Sequence, residues 1–166
     1  MSINIIENDD PNYRYKMPRM AISKIGSGNG KNTIIENIED VGNAISHPKE
    51  TILKYFGIEL GTNCNLKNNS IKGWHDVDTL TQILYIYIQN YIICPKCKMP
   101  ETIPEIKGKK KNKKLQLNCS GSNCKEIIFN NKKNFLKGIK IIINYIENNE
   151  WKVQEGNMVL ETGKKD

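Results

Sequence analysis

Two pairs of cysteines constrain this chain more than any other feature of its sequence. Cys94 and Cys97 are separated by two residues, Cys119 and Cys124 by four, and 21 residues lie between the pairs. Paired knuckles at the ends of adjacent hairpins present four thiolates, the tetrahedral ligand set that Zn²⁺ prefers. A bound metal also lets a short segment fold without a large core. We therefore predict a zinc ribbon with one structural Zn²⁺ per chain; four unrelated buried thiols are the alternative.

Length and charge narrow the class of protein. With 166 residues, the chain can form one ordinary domain or a small domain plus a metal-stabilised module. Its net charge of +7 favours polyanionic partners, of which nucleic acid is the most common. Since it has neither a membrane-length apolar run nor a secretory signal, we expect a cytoplasmic monomer that does not contact membranes. That compartment keeps thiols reduced, which favours metal binding over disulfides.

The hydrophobic pattern before the cysteines predicts an α+β fold. We expect a flexible tail over residues 1–12 and an α+β domain over residues 13–91. Short strands are predicted at 20–25 and 33–37, and they flank a glycine-rich hairpin tip at 26–30. Helical spacing then runs from Ile38 to Ile45 and stops before Pro48.

Two further strands are predicted at 52–60 and 70–74. Asp76 then stands at the N-cap of a helix whose apolar residues, from Val77 to Tyr87, recur at helical spacing. The zinc ribbon is assigned to residues 92–132, and a last amphipathic helix with a polar tail to 133–166. The predicted fold is therefore a small α/β domain followed by a C-terminal four-cysteine zinc ribbon, with separate cores. Cys64 stands alone and is expected to be a small core residue.

A lysine tract lies between the two cysteine pairs. At a hairpin tip it would form a strong site for a phosphate backbone, whereas a solvated loop is the simpler alternative. The lysines that we assign to nucleic-acid binding in this tract are Lys109, Lys110, Lys111, Lys113 and Lys114.

Catalytic motifs are missing. The two histidines, His47 and His75, have no accompanying nucleophile motif, so a hydrolytic triad is not predicted. Gly30-Lys31 is followed by Asn32 rather than Ser or Thr, so the glycine-rich loop is not a nucleotide-binding P-loop. We expect no enzymatic activity from this chain itself.

Arginine is rare in this lysine-rich chain. Only Arg14 and Arg19 occur, and both fall in the string Tyr-Arg-Tyr-Lys-Met-Pro-Arg at 13–19. A guanidinium offers a planar fork of donors that an ammonium lacks. We therefore expect one of the two to make bidentate contact with phosphate or carboxylate, although chance clustering is the simpler explanation.

Several strings together resemble the N-terminal domain of eukaryotic translation initiation factor five. They are Tyr-Arg-Tyr-Lys-Met-Pro-Arg at 13–19, Gly-Asn-Gly at 28–30, Asp-Val at 40–41, Lys-Tyr-Phe-Gly at 54–57, Glu-Leu-Gly at 59–61, Cys-Pro-Lys-Cys at 94–97 and Pro-Glu-Thr at 100–102. The beta subunit of initiation factor two shares this fold and zinc ribbon, but the first string points to factor five.

The resemblance implies a GTPase-activating protein that acts during start-codon selection. Its target would be the gamma subunit of initiation factor two. Together with the beta subunit, the gamma subunit carries GTP and initiator tRNA, and it does so on a small ribosomal subunit that also holds mRNA. By resemblance, Arg14 would be an arginine finger in trans and Lys54 would support it. Lys31 is displaced by one position from the lysine of the family, which puts its equivalence in doubt.

The resemblance also implies an approach to RNA. The residues concerned are Lys24 and the glycine-rich tip, Gly26, Ser27, Gly28, Asn29 and Gly30, which would lie near the codon–anticodon helix. Two other functions remain open: a non-catalytic scaffold resembling the beta subunit, and a zinc-ribbon RNA-binding mimic of the host factor. Because the family's C-terminal helical-repeat domain is missing, we expect either a naturally short homologue or a truncated chain.

Overall fold

The computed structural model describes residues 2–7, 9–93, 102–107, 114–119, 127–128 and 136–149. Two of its sheets and three of its helices come before residue 94, in the region predicted as an α+β domain. A third, three-stranded sheet and a last helix follow. The fold class of the first region is therefore the predicted mixture of helices and strands.

The N-terminal residues form a hairpin and not the flexible tail that we predicted for 1–12. Strand β1 (Ser2–Asn4) pairs antiparallel with β2 (Lys16–Pro18), and Ile3 lies opposite Met17. Ile5 and Met17 are fully or almost fully buried. The prediction was wrong because the polar residues at 7 and 9–12 lie between the two strands of the hairpin, while the few apolar side chains before and after them join the core.

A four-stranded antiparallel sheet forms the centre of the domain, with the order β3, β4, β6, β5. Its strands are β3 (Ile22–Ile25), β4 (Asn32–Ile35), β5 (Cys64–Asn65) and β6 (Ser70–Lys72). Thr33 and Ile35 of β4 are buried, while Asn32 and Ile34 between them are only half-buried. One face of the sheet thus packs on the core and the other is open. The predicted hairpin around residues 26–30 is confirmed.

Helix α1 (Ile38–Ile45) agrees with the prediction, but α2 (Lys49–Leu60) replaces the strand predicted at 52–60. The helix begins after Pro48, and the amide of Gly61 closes its other end on the carbonyls of Gly57 and Ile58. Ile52 and Phe56 are four residues apart and both buried. Its β-branched and aromatic residues favoured a strand locally, but burial against three neighbouring helices decided the structure.

Helix α3 (Val77–Tyr91) confirms the helical spacing predicted after Asp76. Leu80, Leu84 and Tyr87 are completely buried. Asp76 occupies the N-cap position, but its carboxylate makes no capping hydrogen bond and instead accepts one from Lys24. No helix in the described part of the chain is long and apolar enough to cross a membrane.

The third sheet lies in the region predicted as a zinc ribbon. Strand β7 (Thr102–Lys107) pairs antiparallel with β8 (Lys114–Cys119), which in turn pairs with β9 (Ile127–Ile128). Lys107 lies opposite Lys114 at one end of the first ladder, and Thr102 lies opposite Cys119 at the other. The first and last lysines of the tract, Lys107 and Lys114, are therefore paired at the end away from Cys119.

Helix α4 (Leu136–Asn148) is the predicted last helix, and it packs back onto the α/β domain. Its residues Ile139 and Ile142 belong to the same buried cluster as Tyr91, and the helix contacts α2, β7 and β8. A Cβ atom at Gly138 would overlap the Tyr91 ring, so the absence of a side chain permits this close approach. Helix α4 is therefore part of the core of the α/β domain and also contacts the third sheet.

Candidate functional site

The glycine-rich tip forms the exposed end of the β3–β4 hairpin. A short 3₁₀ turn spans Gly28–Gly30, closed by a 2.8 Å bond from the Gly30 amide to the Ser27 carbonyl. Gly26 has φ +81°, and a Cβ atom there would overlap the Gly30 carbonyl. Only glycine therefore fits this position. The backbone at the tip is exposed along its whole length, as an approach to another molecular surface requires.

Lys24 reaches from the same hairpin to the start of α3. Its Nζ lies 2.6 Å from Asp76 Oδ1, in an exposed ion pair. The hydrogen bond and charge of Lys24 hold the pKa of Asp76 below its usual range. Part of the positive charge that we assigned to nucleic-acid binding is thus balanced locally by Asp76.

Lys31 follows the tip and lies over an aromatic ring. Its Nζ is 4.5 Å from the centroid of Trp74, whose indole Nε1 donates a 2.9 Å hydrogen bond to the Ile25 carbonyl. Lys31 therefore packs against Trp74 directly after the tip, and its part in activation stays a prediction. Sequence reasoning missed Trp74, because it placed this residue at the end of the strand predicted at 70–74, whereas β6 ends at Lys72.

Arg14 lies in the turn between β1 and β2. Its guanidinium carbon is 5.3 Å from the centroid of the Tyr15 ring, a cation–π arrangement, and the residue is otherwise exposed. Tyr15 itself is buried, and its carbonyl accepts a hydrogen bond from the Ile5 amide. No acidic side chain forms a salt bridge with Arg14 within the described ranges. The turn thus presents an exposed guanidinium from a fixed backbone.

Arg19 has a different environment. Its Nη2 lies 3.4 Å from Asp78 Oδ1 on the first turn of α3, in an exposed ion pair. The two arginines are therefore distinguished by their surroundings, because Arg19 already has a carboxylate partner on the surface of the same domain.

Lys54 lies on α2, whereas Arg14 lies in the β1–β2 turn. Lys54 is half-buried near Cys64 of β5. Burial raises the pKa of the Cys64 thiol, and the positive charge of Lys54 offsets only part of that rise. Cys64 packs partly against the core, as expected. Of the predicted site residues, the structure brings Lys24, Lys31 and the glycine-rich tip together, while Arg14 and Lys54 lie on separate elements.

The predicted zinc ligands fall mostly outside the described residues. Cys94, Cys97 and Cys124 are outside them, and only the backbone of Cys119 is described, at the end of β8. Four lysines of the tract also lie outside the described residues, namely Lys109, Lys110, Lys111 and Lys113. Lys114 is the first residue of β8. Among the side chains that the structure does describe, no cluster of His, Cys, Asp or Glu could hold a metal.

Comparison with known proteins places the chain. A family model, described as a domain found in initiation factors 2B and 5, matches residues 6–127. The chain belongs to this family. Eukaryotic translation initiation factor 5 from Mus musculus is 39% identical over 115 residues, which cover 66% of this chain and 27% of the mouse protein. The Saccharomyces cerevisiae factor is 39% identical over 107 residues, covering 61% and 26%.

A third relative extends the match. "Probable eukaryotic translation initiation factor 5" from Schizosaccharomyces pombe is 31% identical over 123 residues, covering 72% of this chain and 31% of that protein. The chain thus spans between about a quarter and a third of the length of these relatives. Within the family it is similar to the N-terminal domain of initiation factor five. The family match includes Arg14, Lys31 and Lys54, while α4 lies beyond it.

Proposed function

We propose that this member of the family of initiation factors 2B and 5 is a translation initiation factor that activates GTP hydrolysis by the gamma subunit of initiation factor two. The observation that carries the proposal is the environment of Arg14. This residue stands in the string at 13–19, in the turn of a hairpin that is anchored in the core by Ile5, Tyr15 and Met17. Its guanidinium lies against the Tyr15 ring and forms no salt bridge with the described residues. An arginine held this way is available to a partner.

The chemistry of such an arginine is general. Phosphoryl transfer places negative charge on the phosphoryl oxygens in the transition state, and a planar guanidinium offers two donors to those oxygens. Supplied in trans, it is worth about 10³ to 10⁵ in rate. The GTPase keeps the nucleotide, the magnesium ion and the attacking water, so this chain needs no active site of its own.

The hairpin holding Arg14 is anchored at several points. Met17 and Tyr15 are buried, β2 contacts α1, and Lys16 Nζ donates hydrogen bonds to Asn4 Oδ1 and to the Pro11 carbonyl. A fixed backbone reduces the conformational entropy that is lost when the side chain enters the partner's site. Activation therefore uses a preorganised turn, and the flexible tail expected from the sequence has no part in it.

The remaining surfaces are assigned to RNA and to the zinc site. In this proposal, Lys24, Lys31 and the exposed tip face the initiator tRNA and mRNA on the small ribosomal subunit, and the tract at 107–114 adds contacts to phosphates. A structural Zn²⁺ is held by four cysteines, Cys94, Cys97, Cys119 and Cys124. The spacing of these cysteines and the strand pairing that ends at Cys119 support this assignment. The protein acts in the cytoplasm as a monomer, together with the beta and gamma subunits.

GTP hydrolysis by reconstituted complexes of initiation factor two, GTP and initiator tRNA on small subunits tests the proposal. We expect the chain to stimulate hydrolysis and Arg14→Ala to lose that stimulation while still binding the subunits. Arg19→Ala is the matched control, because Arg19 is an exposed arginine from the same string with a local partner. Full stimulation by Arg14→Ala would instead favour the scaffold or the RNA-binding mimic.

A further inference from the structure

Trp74 is an exposed aromatic side chain that the proposed activation mechanism does not use. It lies in the loop between β6 and α3, and 46% of its surface is exposed. A large aromatic ring normally contributes to a core, so an exposed one beside a glycine-rich tip needs a reason. Ile25, at the end of the neighbouring strand β3, is exposed to a similar degree.

The loop that carries Trp74 is attached by hydrogen bonds to β4, one of the two inner strands of the four-stranded sheet. The buried Thr33 hydroxyl donates a 2.8 Å hydrogen bond to the Gly73 carbonyl and accepts one of 2.9 Å from the His75 amide. The Gly73 amide donates to the Lys31 carbonyl at 2.7 Å. The residues on both sides of Trp74 are therefore held by hydrogen bonds to Thr33 of β4 and to Lys31, which follows the tip.

The ring itself is also oriented. Its Nε1 donates to the Ile25 carbonyl, and the Lys31 ammonium lies over the ring at 4.5 Å from its centroid. Both contacts fix the plane of the indole while nearly half of its surface stays open. This preorganisation lowers the entropic cost of placing another flat group on the ring.

The surroundings favour a polyanion with flat, polar groups. Lys31 and the exposed Lys72 are near the loop, while Lys24 is balanced by Asp76. A pocket of about 300 Å³ opens on the uncovered face of the sheet, and its lining includes Ile25, whose carbonyl accepts the hydrogen bond from Trp74. Four of its six lining residues are polar, namely Asn32, Asn65, Asn68 and Ser70, and the other two are Ile25 and Ile34.

We propose that Trp74 is a stacking platform for an unpaired RNA base at the glycine-rich tip. Every base has a face that stacks on an aromatic ring, and lysines supply attraction for the backbone phosphates. This inference rests on the proposal that the tip faces RNA, and it adds the base, rather than the phosphate, as the group recognised.

Fluorescence separates stacking from mere charge attraction. The chain has two tryptophans, so Trp151→Phe leaves Trp74 as the only indole. We expect a short single-stranded oligoribonucleotide to quench its emission, and a strand of the same length made of abasic nucleotides to bind without quenching. Binding is followed separately by the anisotropy of a labelled strand. Binding of the normal strand without any quenching would overturn the platform.

Variants give a second test. Trp74→Leu should weaken binding of the normal strand by roughly five- to a hundredfold and change binding of the abasic strand little, while Trp74→Phe keeps most of the affinity. Ile86→Ala, which shortens an exposed apolar residue on α3, should have no effect. Equal weakening of both strands by Trp74→Leu would contradict stacking. These assays contain no GTPase, so their failure is distinct from a failure of Arg14 to stimulate hydrolysis.

Discussion

Individual side chains in this protein take their properties from burial and from one or two neighbours. His47 is fully buried, and its Nδ1 lies 2.7 Å from the Tyr87 hydroxyl, which donates to Thr51 Oγ1. Since that hydroxyl is already a donor, His47 Nδ1–H is the donor to it. Burial lowers the pKa of His47 to about 3, so the imidazole is neutral in the folded protein.

This environment predicts how stability depends on pH. The unfolded chain takes up a proton on His47 near pH 6.5, whereas the folded protein does so only near 3. The contribution of His47 is therefore complete above pH 6.5 and is lost as the pH falls towards 3, by about 1.4 kcal/mol per pH unit. Urea unfolding at pH 6.5 and 5.0 measures this slope.

Two histidine variants make the test specific. His47→Gln, which has no titrating group, should flatten the dependence on pH, and His75→Gln should keep it because His75 is only half-buried. If His47→Gln and the wild type lost stability equally between the two pH values, another group would be responsible.

Sequence reasoning at this scale succeeded where chemistry is local and failed where it depends on the fold. The sequence showed that arginine is rare and that both arginines fall in one string. Only the structure shows that their surroundings differ, because Arg19 forms an ion pair with Asp78 from a distant part of the chain. Trp74 was missed for the same reason. Its contacts, Lys31 and the Ile25 carbonyl, come from another hairpin. The ligand roles of the four cysteines stay predictions.

At the scale of elements, strong periodicity was reliable and composition was not. The spacing of apolar residues predicted α1, α3 and α4, and the glycine cluster predicted the β3–β4 hairpin. Helix α2 was predicted as a strand because Ile, Tyr and Phe are common in its sequence. A helix forms there because α2 packs against α1, α3 and α4 at once, which buries apolar residues around much of its circumference.

Contact between α4 and the domain leads to a prediction about Gly138. On helix propensity alone, Gly138→Ala should stabilise the protein by about 1 kcal/mol. The added Cβ atom would overlap the Tyr91 ring, however, and overpacking of this kind costs about 1 to 3 kcal/mol. We therefore expect a lower unfolding free energy.

A double-mutant cycle checks the cause. In a Tyr91→Leu background the overlap is relieved, so Gly138→Ala should become neutral or stabilising there. Stabilisation by Gly138→Ala in the unmodified protein would mean that α4 is not seated against Tyr91.

Across the whole molecule, α4 links the two parts that the sequence suggested were independent. It contacts β7 and β8 on one side and α2 on the other, and Thr102 of β7 donates a buried 2.8 Å hydrogen bond to the Ile92 carbonyl. Strands β7 and β8 are therefore coupled to the α/β domain. The sequence could not reveal this, because the amphipathic pattern of α4 says that one face is buried but not against what.

The proposed zinc ion provides a test of that coupling. We expect one Zn²⁺ per chain, and we expect chelation to lower the thermal midpoint of the α/β domain without unfolding residues 20–90. Metal analysis and circular dichroism with and without a chelator measure both effects, and Cys64→Ala is the control for a cysteine outside the site. Protein prepared without chelators but free of zinc would end this part of the proposal.

The lysine tract predicts the salt dependence of binding to small ribosomal subunits. Contacts with several phosphates release counterions, so the affinity should fall steeply as salt rises. Replacing four lysines of the tract at 107–114 with Gln should reduce that slope. An unchanged slope would remove the tract from the interface.

The most direct test of the account is single-turnover GTP hydrolysis with Arg14→Lys at saturating protein. Lysine keeps the charge but cannot spread two donors over the phosphoryl oxygens. If Arg14 acts in the transition state, Arg14→Lys should approach Arg14→Ala in rate while binding almost as well as the wild type. An Arg14→Lys variant that retains nearly full stimulation would contradict the mechanism.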